Sequence, residues 1–199
     1  MPLSKYRPCA PALFWGLAFG VLERGYGVVT CQHDIQAARS KEFMTPETFM
    51  REAIKEAETG MRNGRGGPFG CVIVHRGEVI ARGNNRVTST NDPTAHAEIT
   101  AIREACAKLK TFQLEDCELY TSCEPCPMCL AAVYWARIPR LYYGNTRADA
   151  AAIGFDDDFI YQQIPLPPEK RALAMQSLLR EEAQAGFREW QVKPDKVRY

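Results

Sequence analysis

The sequence predicts an α/β layer fold with a mixed sheet. Three observations predict it. Strand-like and helix-like segments alternate along the chain, a hairpin opens the series at Arg76-Gly77, and 199 residues suffice for one ordinary domain with a real core. A helix is expected from Thr45, where Thr45 can cap, Pro46 suits the first turn and Glu47 favours the positive end. Phe49, Ala53, Ala57 and Met61 recur four apart and predict its apolar face. The glycine-rich run 63–68 ends that helix; it lacks the Lys-Ser/Thr of a phosphate-binding loop and reads as a turn and pocket wall.

Phe69 to His75 reads as the first strand, and Glu78 to Ala81 begins its hairpin partner, which the chain leaves at Gly83-Asn84-Asn85. Asn91-Asp92-Pro93-Thr94 signals a second helix, from about Ala95 to Leu109. Glu118 to Ser122 is a third strand, and a third helix begins at Pro125, carries Cys126 and Cys129, and runs to about Ala136. Leu141-Tyr142-Tyr143 is a fourth strand. Pro167-Pro168 breaks the chain before a helix expected from about Glu169 to Gln184, with Ala172, Met175 and Leu179 on one face and Gly186 as its stop. The tail from Phe187 to Tyr199 is more aromatic than an idle tail needs.

The composition is globular, with 46% hydrophobic and 25% charged residues, and a net charge of +1 gives no sign of a nucleic-acid or membrane partner. No stretch is long enough to span a membrane as a helix. Residues 1–43 are expected to be an N-terminal extension, disordered or a start-site artefact, with the working domain at 44–199. A weak signal peptide is the alternative: Lys5 and Arg7 precede an apolar run from Ala10 to Leu22, but Pro11, Gly16 and Gly20 interrupt it and no clear cleavage site follows.

Eight cysteines are present, and three crowd into Cys123-Glu124-Pro125-Cys126-Pro127-Met128-Cys129, a clustering that favours metal over disulfide. His96-Ala97-Glu98 precedes this run by one strand. His-x-Glu followed by Pro-Cys-x-x-Cys is the established signature of zinc-dependent base deaminases. The physical case stands beside it. Cys126 and Cys129, three apart near a helix start, share a face where the helix dipole favours thiolate. Two Cys and one His leave a tetrahedral zinc with one open position for water, the arrangement of a catalytic site. Cys123 competes, because Cys123 and Cys126 also form a C-x-x-C pair; its place at a strand end favours Cys126 and Cys129. His33 and His75 have no companion at ligand spacing. Glu98 can reach the open position without being a ligand, as general base and then general acid, although alone it would merely favour a helix N-terminus. Taken singly, Asn84-Asn85 fits a plain turn, Asp156-Asp157-Asp158 a solvated loop, Phe69 and Trp135 core, and Tyr199 a frayed terminus. Cys71, Cys106 and Cys117 read as inert buried thiols.

Over nearly all of residues 44–199 the chain resembles the cytidine-deaminase-like superfamily, and within it the bacterial guanine deaminases. The resemblance is carried by Gly66-Gly67-Pro68-Phe69-Gly70, by the stretch 91–98 ending in His96-Ala97-Glu98, by 119–129 ending in Cys129, and by Gly154-Phe155-Asp156-Asp157-Asp158-Phe159-Ile160-Tyr161. It implies a three-layer α/β/α sandwich with a mixed five-stranded sheet. It assigns one zinc ion per subunit to His96, Cys126 and Cys129, proton transfer to Glu98, and base contacts to Asn85, Phe69, Ala97, Trp135, Asp157 and Tyr199. It also implies a cytoplasmic homodimer whose C-terminal segment, about 186–199, crosses to cap the neighbour's site. Guanine offers donors at N1 and the 2-amino group, which a carboxylate such as Asp157 accepts, and three adjacent aspartates disfavour a phosphate-bearing substrate. The expected partner is therefore a small purine, with no nucleic acid and no membrane. The rival readings are a guanosine or other amino-purine deaminase, a tRNA adenosine deaminase, and a zinc-stabilised binding module without turnover.

Overall fold

The computed structural model describes residues 45–198; the calls on segment 1–43 and on Tyr199 fall outside the described residues. The described chain folds around a four-stranded sheet of order β2-β1-β3-β4, with β1 Gly70–His75, β2 Glu78–Asn84, β3 Cys117–Cys123 and β4 Arg140–Asn145. β1 pairs antiparallel with both β2 and β3, while β3 and β4 are parallel, so the sheet is mixed as expected. Arg76 and Gly77 both take positive φ, the backbone of a tight two-residue hairpin turn.

The pleat sends alternate residues of β1 to opposite faces. Val72 and Val74 join Tyr120 in a cluster with Phe49 and Ala53 of α1, Pro46–Arg62. Cys71, Ile73 and Leu119 pack on the other side with Ala97, Ala101 and Ala105 of α3, Ala97–Leu109, and with Val133 of α4, Pro127–Trp135. Helices thus cover both faces, which makes the three layers. A strand buried on both sides reads as a continuous apolar run, and Cys71-Val72-Ile73-Val74 is such a run.

The structure revises several expectations. On α1 the inward face ends at Gly60, while Met61 is 45% exposed. Each four-residue step turns a helix about 40° past a full circle, so three steps carry Met61 off the face, and the eleven-residue step from Phe49 brings Gly60 back onto it. β2 runs on through Gly83 and Asn84 instead of leaving there. A short helix, α2, Val87–Thr90, precedes α3, and α5, Arg147–Ala152, and α6, Asp158–Gln163, follow β4. The described residues form four strands, not five, and β4 lies at the edge with Tyr142 and Tyr143 partly exposed.

The helix expected over about 169–184 is helical only in its last residues. A 3-10 turn at Pro168–Lys170 is followed by irregular chain, and α7 spans Arg180–Val192 with Gly186 inside it. The apolar spacing there has no surface to pack on: Leu173, Leu178 and Leu179 are each at least 70% exposed. Spacing alone does not stabilise a short helix, because most of its stability comes from burying a face. No described helix is long and apolar enough to cross a membrane.

Close packing at one glycine sets the start of α3. A Cβ at Gly83 would lie 2.0 Å from the Ala97 carbonyl oxygen and 2.8 Å from the Ala101 nitrogen. Replacing Gly83 with Ala would push α3 off β2 at the turn that carries His96 and Glu98. The expected cost is that of overpacking, about 1–3 kcal/mol, read as a fall in Tm of roughly 3–10 °C for a domain of this size.

Candidate active site

Two helix starts converge on one point. His96 is the N-cap of α3 and Cys126 the N-cap of α4, both with extended backbone, and Cys129 sits in the first turn of α4. Pro127 opens α4 because its missing N–H costs nothing at that position. The sequence reading put both cysteines inside the helix; the cap position of Cys126 turns its thiol back across the helix end, toward Cys129 and His96.

The Nδ1 atom of His96 lies 3.6 Å from Cys126 Sγ and 3.5 Å from Cys129 Sγ, and the ligand atoms of the three residues all fall within 4.8 Å of one another. Tetrahedral zinc, with Zn–S near 2.3 Å and Zn–N near 2.0–2.1 Å, sets its nitrogen and sulfur ligands about 3.5 Å apart. The donor set and its spacing therefore fit that metal. Cys123, the competing cysteine, is not in the group; its thiol donates to the Thr146 carbonyl at 3.6 Å, and burial pushes its pKa up to about 11.

The electrostatics favour a thiolate. Cys126 is pushed down to about 4, chiefly by the hydrogen bond it receives from the Cys129 thiol, with further help from His96. Cys129 is pushed up because it donates that hydrogen bond and is buried beside Glu98. His96 is raised by its hydrogen bond with Cys126. Glu98 is buried at 6% exposure, and this burial raises its carboxyl above the usual range. Thr121 of β3 donates to its Oε1 at 3.2 Å.

These groups open into a cleft of about 450 Å³. Of the residues expected to meet a substrate, Asn85, Phe69 and Asp157 line it, as do His96, Glu98 and Cys126. Asn85 is buried, and its Oδ1 accepts from the Gly67 N–H at 3.3 Å and the Val87 N–H at 3.2 Å. With its oxygen so engaged, the side-chain NH₂ is left to act as a donor. Gly66 is required behind it, since a Cβ there would lie 2.3 Å from that oxygen. Asp157 precedes α6, and burial, then the Cys126 charge, raises its pKa.

Two expected residues stand elsewhere. Ala97 is fully buried in the core beneath β2, so only its main chain is available to a ligand. Trp135 is 55% exposed and does not line the cleft. It lies six residues beyond Cys129 in α4, about 9 Å along the axis, whereas the site uses the first turn. Conversely, Phe155, Arg147 and Thr121 had no site role in the sequence reading. Phe155 meets Phe69 edge to face at 4.9 Å and completes the aromatic wall. Its place two residues before Asp157 was an available signal; a lone Arg147 and a strand Thr121 carry none.

With this geometry in hand, the comparisons with known proteins agree. A family model for the cytidine and deoxycytidylate deaminase zinc-binding region matches residues 44–145. Guanine deaminase of Bacillus subtilis (strain 168) is 51% identical over 156 residues, covering 78% of this chain and 100% of that protein. An X-ray structure of guanine deaminase from Bacillus subtilis aligns with a TM-score of 0.77 at 51% identity, over 78% of this chain and 99% of its own. A solved structure in complex with 2,6-diaminopurine is 36% identical, with a TM-score of 0.55 over 78% of this chain and 85% of that one. The tRNA-specific adenosine deaminase of Aquifex aeolicus is 44% identical over 100 residues, 50% of this chain and 66% of that protein. On the matched domain, the His-x-Glu and Cys-x-x-Cys geometry and the identity to these relatives, the chain belongs to the zinc-binding cytidine and deoxycytidylate deaminase family.

Proposed function

We propose that this chain hydrolyses guanine to xanthine and ammonia. The observation that carries the reading is one cleft holding a buried carboxyl, a His-Cys-Cys group and a second carboxylate: Glu98, His96 with Cys126 and Cys129, and Asp157. Identity of 51% to a guanine deaminase supports the choice of base. His96, Cys126 and Cys129 would hold one zinc ion per subunit. When bound, zinc polarises water and makes it a nucleophile near neutral pH.

The residues of the chain do the rest. Glu98 is the proton carrier. Burial raises its pKa and suits it to carry protons: it takes one from the attacking water and gives it to the purine ring nitrogen, then takes the second from the added hydroxyl and gives it to the departing amine. Thr121 fixes the carboxyl by hydrogen bonding to one oxygen. Asn85, locked as a donor, reads an acceptor on the ring. Asp157 accepts from N1–H and the 2-amino group, and Phe69, buttressed by Phe155, packs on the ring face. Glu124, Asp156 and Asp157 line the cleft with Arg147 as the one Arg or Lys among the lining residues, a balance that disfavours a phosphodiester and favours a free base over RNA.

The chain acts as a homodimer whose C-terminal segment, residues 186–199, crosses to cap the neighbour's cleft, bringing Tyr199 to the base. The uncovered apolar side chains of α7 support this: Phe187 and Val192 are 80% and 78% exposed, and α7 has no buried residue. Trp135, exposed at the end of α4, would meet substrate only by way of that second subunit. Purine breakdown or salvage, in the cytoplasm, is the role this reading proposes.

The direct test follows ammonia release from guanine, guanosine, adenine and cytosine by zinc-loaded protein. Guanine alone is expected to react, and the Glu98→Ala variant should keep its zinc while losing about 10²–10⁴-fold in kcat. Ammonia from another base with none from guanine would overturn the specificity. Asp157→Asn replaces an acceptor pair with one acceptor and one misplaced donor; a loss of about 10²-fold or more in kcat/KM for guanine is expected, and wild-type turnover would remove Asp157 from recognition. Metal analysis separates the cysteines: Cys126→Ala should lose zinc, whereas Cys123→Ala should retain it.

A further inference from the structure

Helix α6 poses a physical problem. It follows directly from Asp157, the carboxylate assigned to recognition, yet none of its residues is buried, and Phe159 and Ile160 are 58% and 46% exposed. A six-residue helix with no buried face has little to hold it in place. Asp157 nevertheless has to stand at a fixed depth beside the Cys126 turn if it is to read one edge of a small ring, since misplacement by an ångström is costly in catalysis.

Tyr161 supplies the attachment. It lies four residues after Asp157, on the same side of α6, and its N–H donates to the Asp157 carbonyl at 3.3 Å. Its hydroxyl donates to the carbonyl of Pro125 at 3.1 Å. Pro125 is buried and immediately precedes Cys126, so this bond joins α6 to the peptide that delivers a candidate metal ligand. The Arg147 guanidinium sits 4.9 Å from the centre of the Tyr161 ring. Arg147 is itself tied to the same turn, because its N–H donates to Glu124 Oε2 at 3.1 Å and the Glu124 N–H donates to the Asn145 carbonyl at 2.8 Å.

We propose that Tyr161 is a positioning residue, strapping α6 to the Pro125-Cys126 turn beneath Arg147 and thereby setting Asp157 at the depth from which it reads the amino-bearing edge of the purine. The proposal rests on the guanine-deamination reading above. Tyr161 does not line the cleft and need not touch substrate; it acts through Asp157. The bond it makes is a single neutral hydrogen bond, so its loss should be felt as a graded effect on binding and not as collapse of the site.

Tyr161→Phe removes only the hydroxyl and leaves the ring under Arg147. Zinc content and Tm should stay at the wild-type level. KM for guanine should rise about three- to tenfold while kcat changes less, and the same substitution placed on Asp157→Asn should add no further loss. Hydrogen exchange of the amides at 157–163 should quicken while that of β3 and α4 does not. Wild-type KM, an equal loss in the Asp157→Asn background, or loss of zinc would each overturn the strap. A wild-type protein inactive on guanine would overturn the functional reading instead; the exchange experiment then decides the strap alone, with faster exchange confined to 157–163 supporting it and unchanged exchange overturning it.

Discussion

The site depends on two helix N-termini meeting at one point. α3 begins at His96 and α4 at Cys126, and each helix start leaves backbone N–H groups without intrahelical partners, a region of partial positive charge. At Cys126 the hydrogen bond from the Cys129 thiol is the chief push toward thiolate, and a helix start favours that form further. The cap positions bring the three side chains within reach of one ion, and their His-Cys-Cys chemistry is what suits zinc. Glu98 follows from the same constraint. Two residues past the cap of α3, it is carried into the convergence point and kept from water.

What brings those helix ends together is the packing of small residues against the sheet. Gly83 lets the Ala97 carbonyl press on β2, and Ala97, Ala101 and Ala105 let the rest of α3 approach as closely. β3 supplies Thr121, buried in the sheet, whose hydroxyl donates to Glu98. The half of the cleft that holds Glu98 and the His-Cys-Cys group is therefore built on the packed core. A rigid base of this kind is what proton transfer requires, since donor and acceptor must be held within hydrogen-bond reach.

The half proposed to recognise the base is built differently. Asp157, Phe155 and Arg147 follow β4, in exposed turns and short helices that bury little. Their positions rest on a few specific contacts: the capping box at Thr146 and Asp149, the edge-to-face pair of Phe69 and Phe155, and the Tyr161 attachment. A fixed reaction centre beside an adaptable recognition edge is how one scaffold takes different bases, because the edge can vary without disturbing the core. The match to a guanine deaminase over 78% of the chain and to a tRNA-specific adenosine deaminase over 50% of it fit this division, the family match itself ending at residue 145.

The layered fold and the metal group were legible in the sequence because both are written in local pattern. The run Cys71-Val72-Ile73-Val74, the Arg76-Gly77 turn and the Pro-Cys-x-x-Cys spacing each specify backbone geometry within a few residues. Glu98, Asn85 and Asp157 were legible as candidates, through motif and resemblance, but not as a cleft. After Pro167-Pro168 apolar spacing misled: Ala172, Met175 and Leu179 have helical spacing and no helix, since periodicity says which residues could share a face and not whether a surface exists to receive them. Trp135 left the cleft for a related reason, because distance along α4 is invisible until the site is known to use its first turn. Tertiary structure alone decided that Cys123 turns to Thr146 instead of the metal group, that Asn85 is fixed as a donor, and that Tyr161 reaches Pro125 across 36 positions of chain. Local sequence sets backbone conformation and chemical type; which side chains meet depends on how distant segments pack, and no short stretch contains that information.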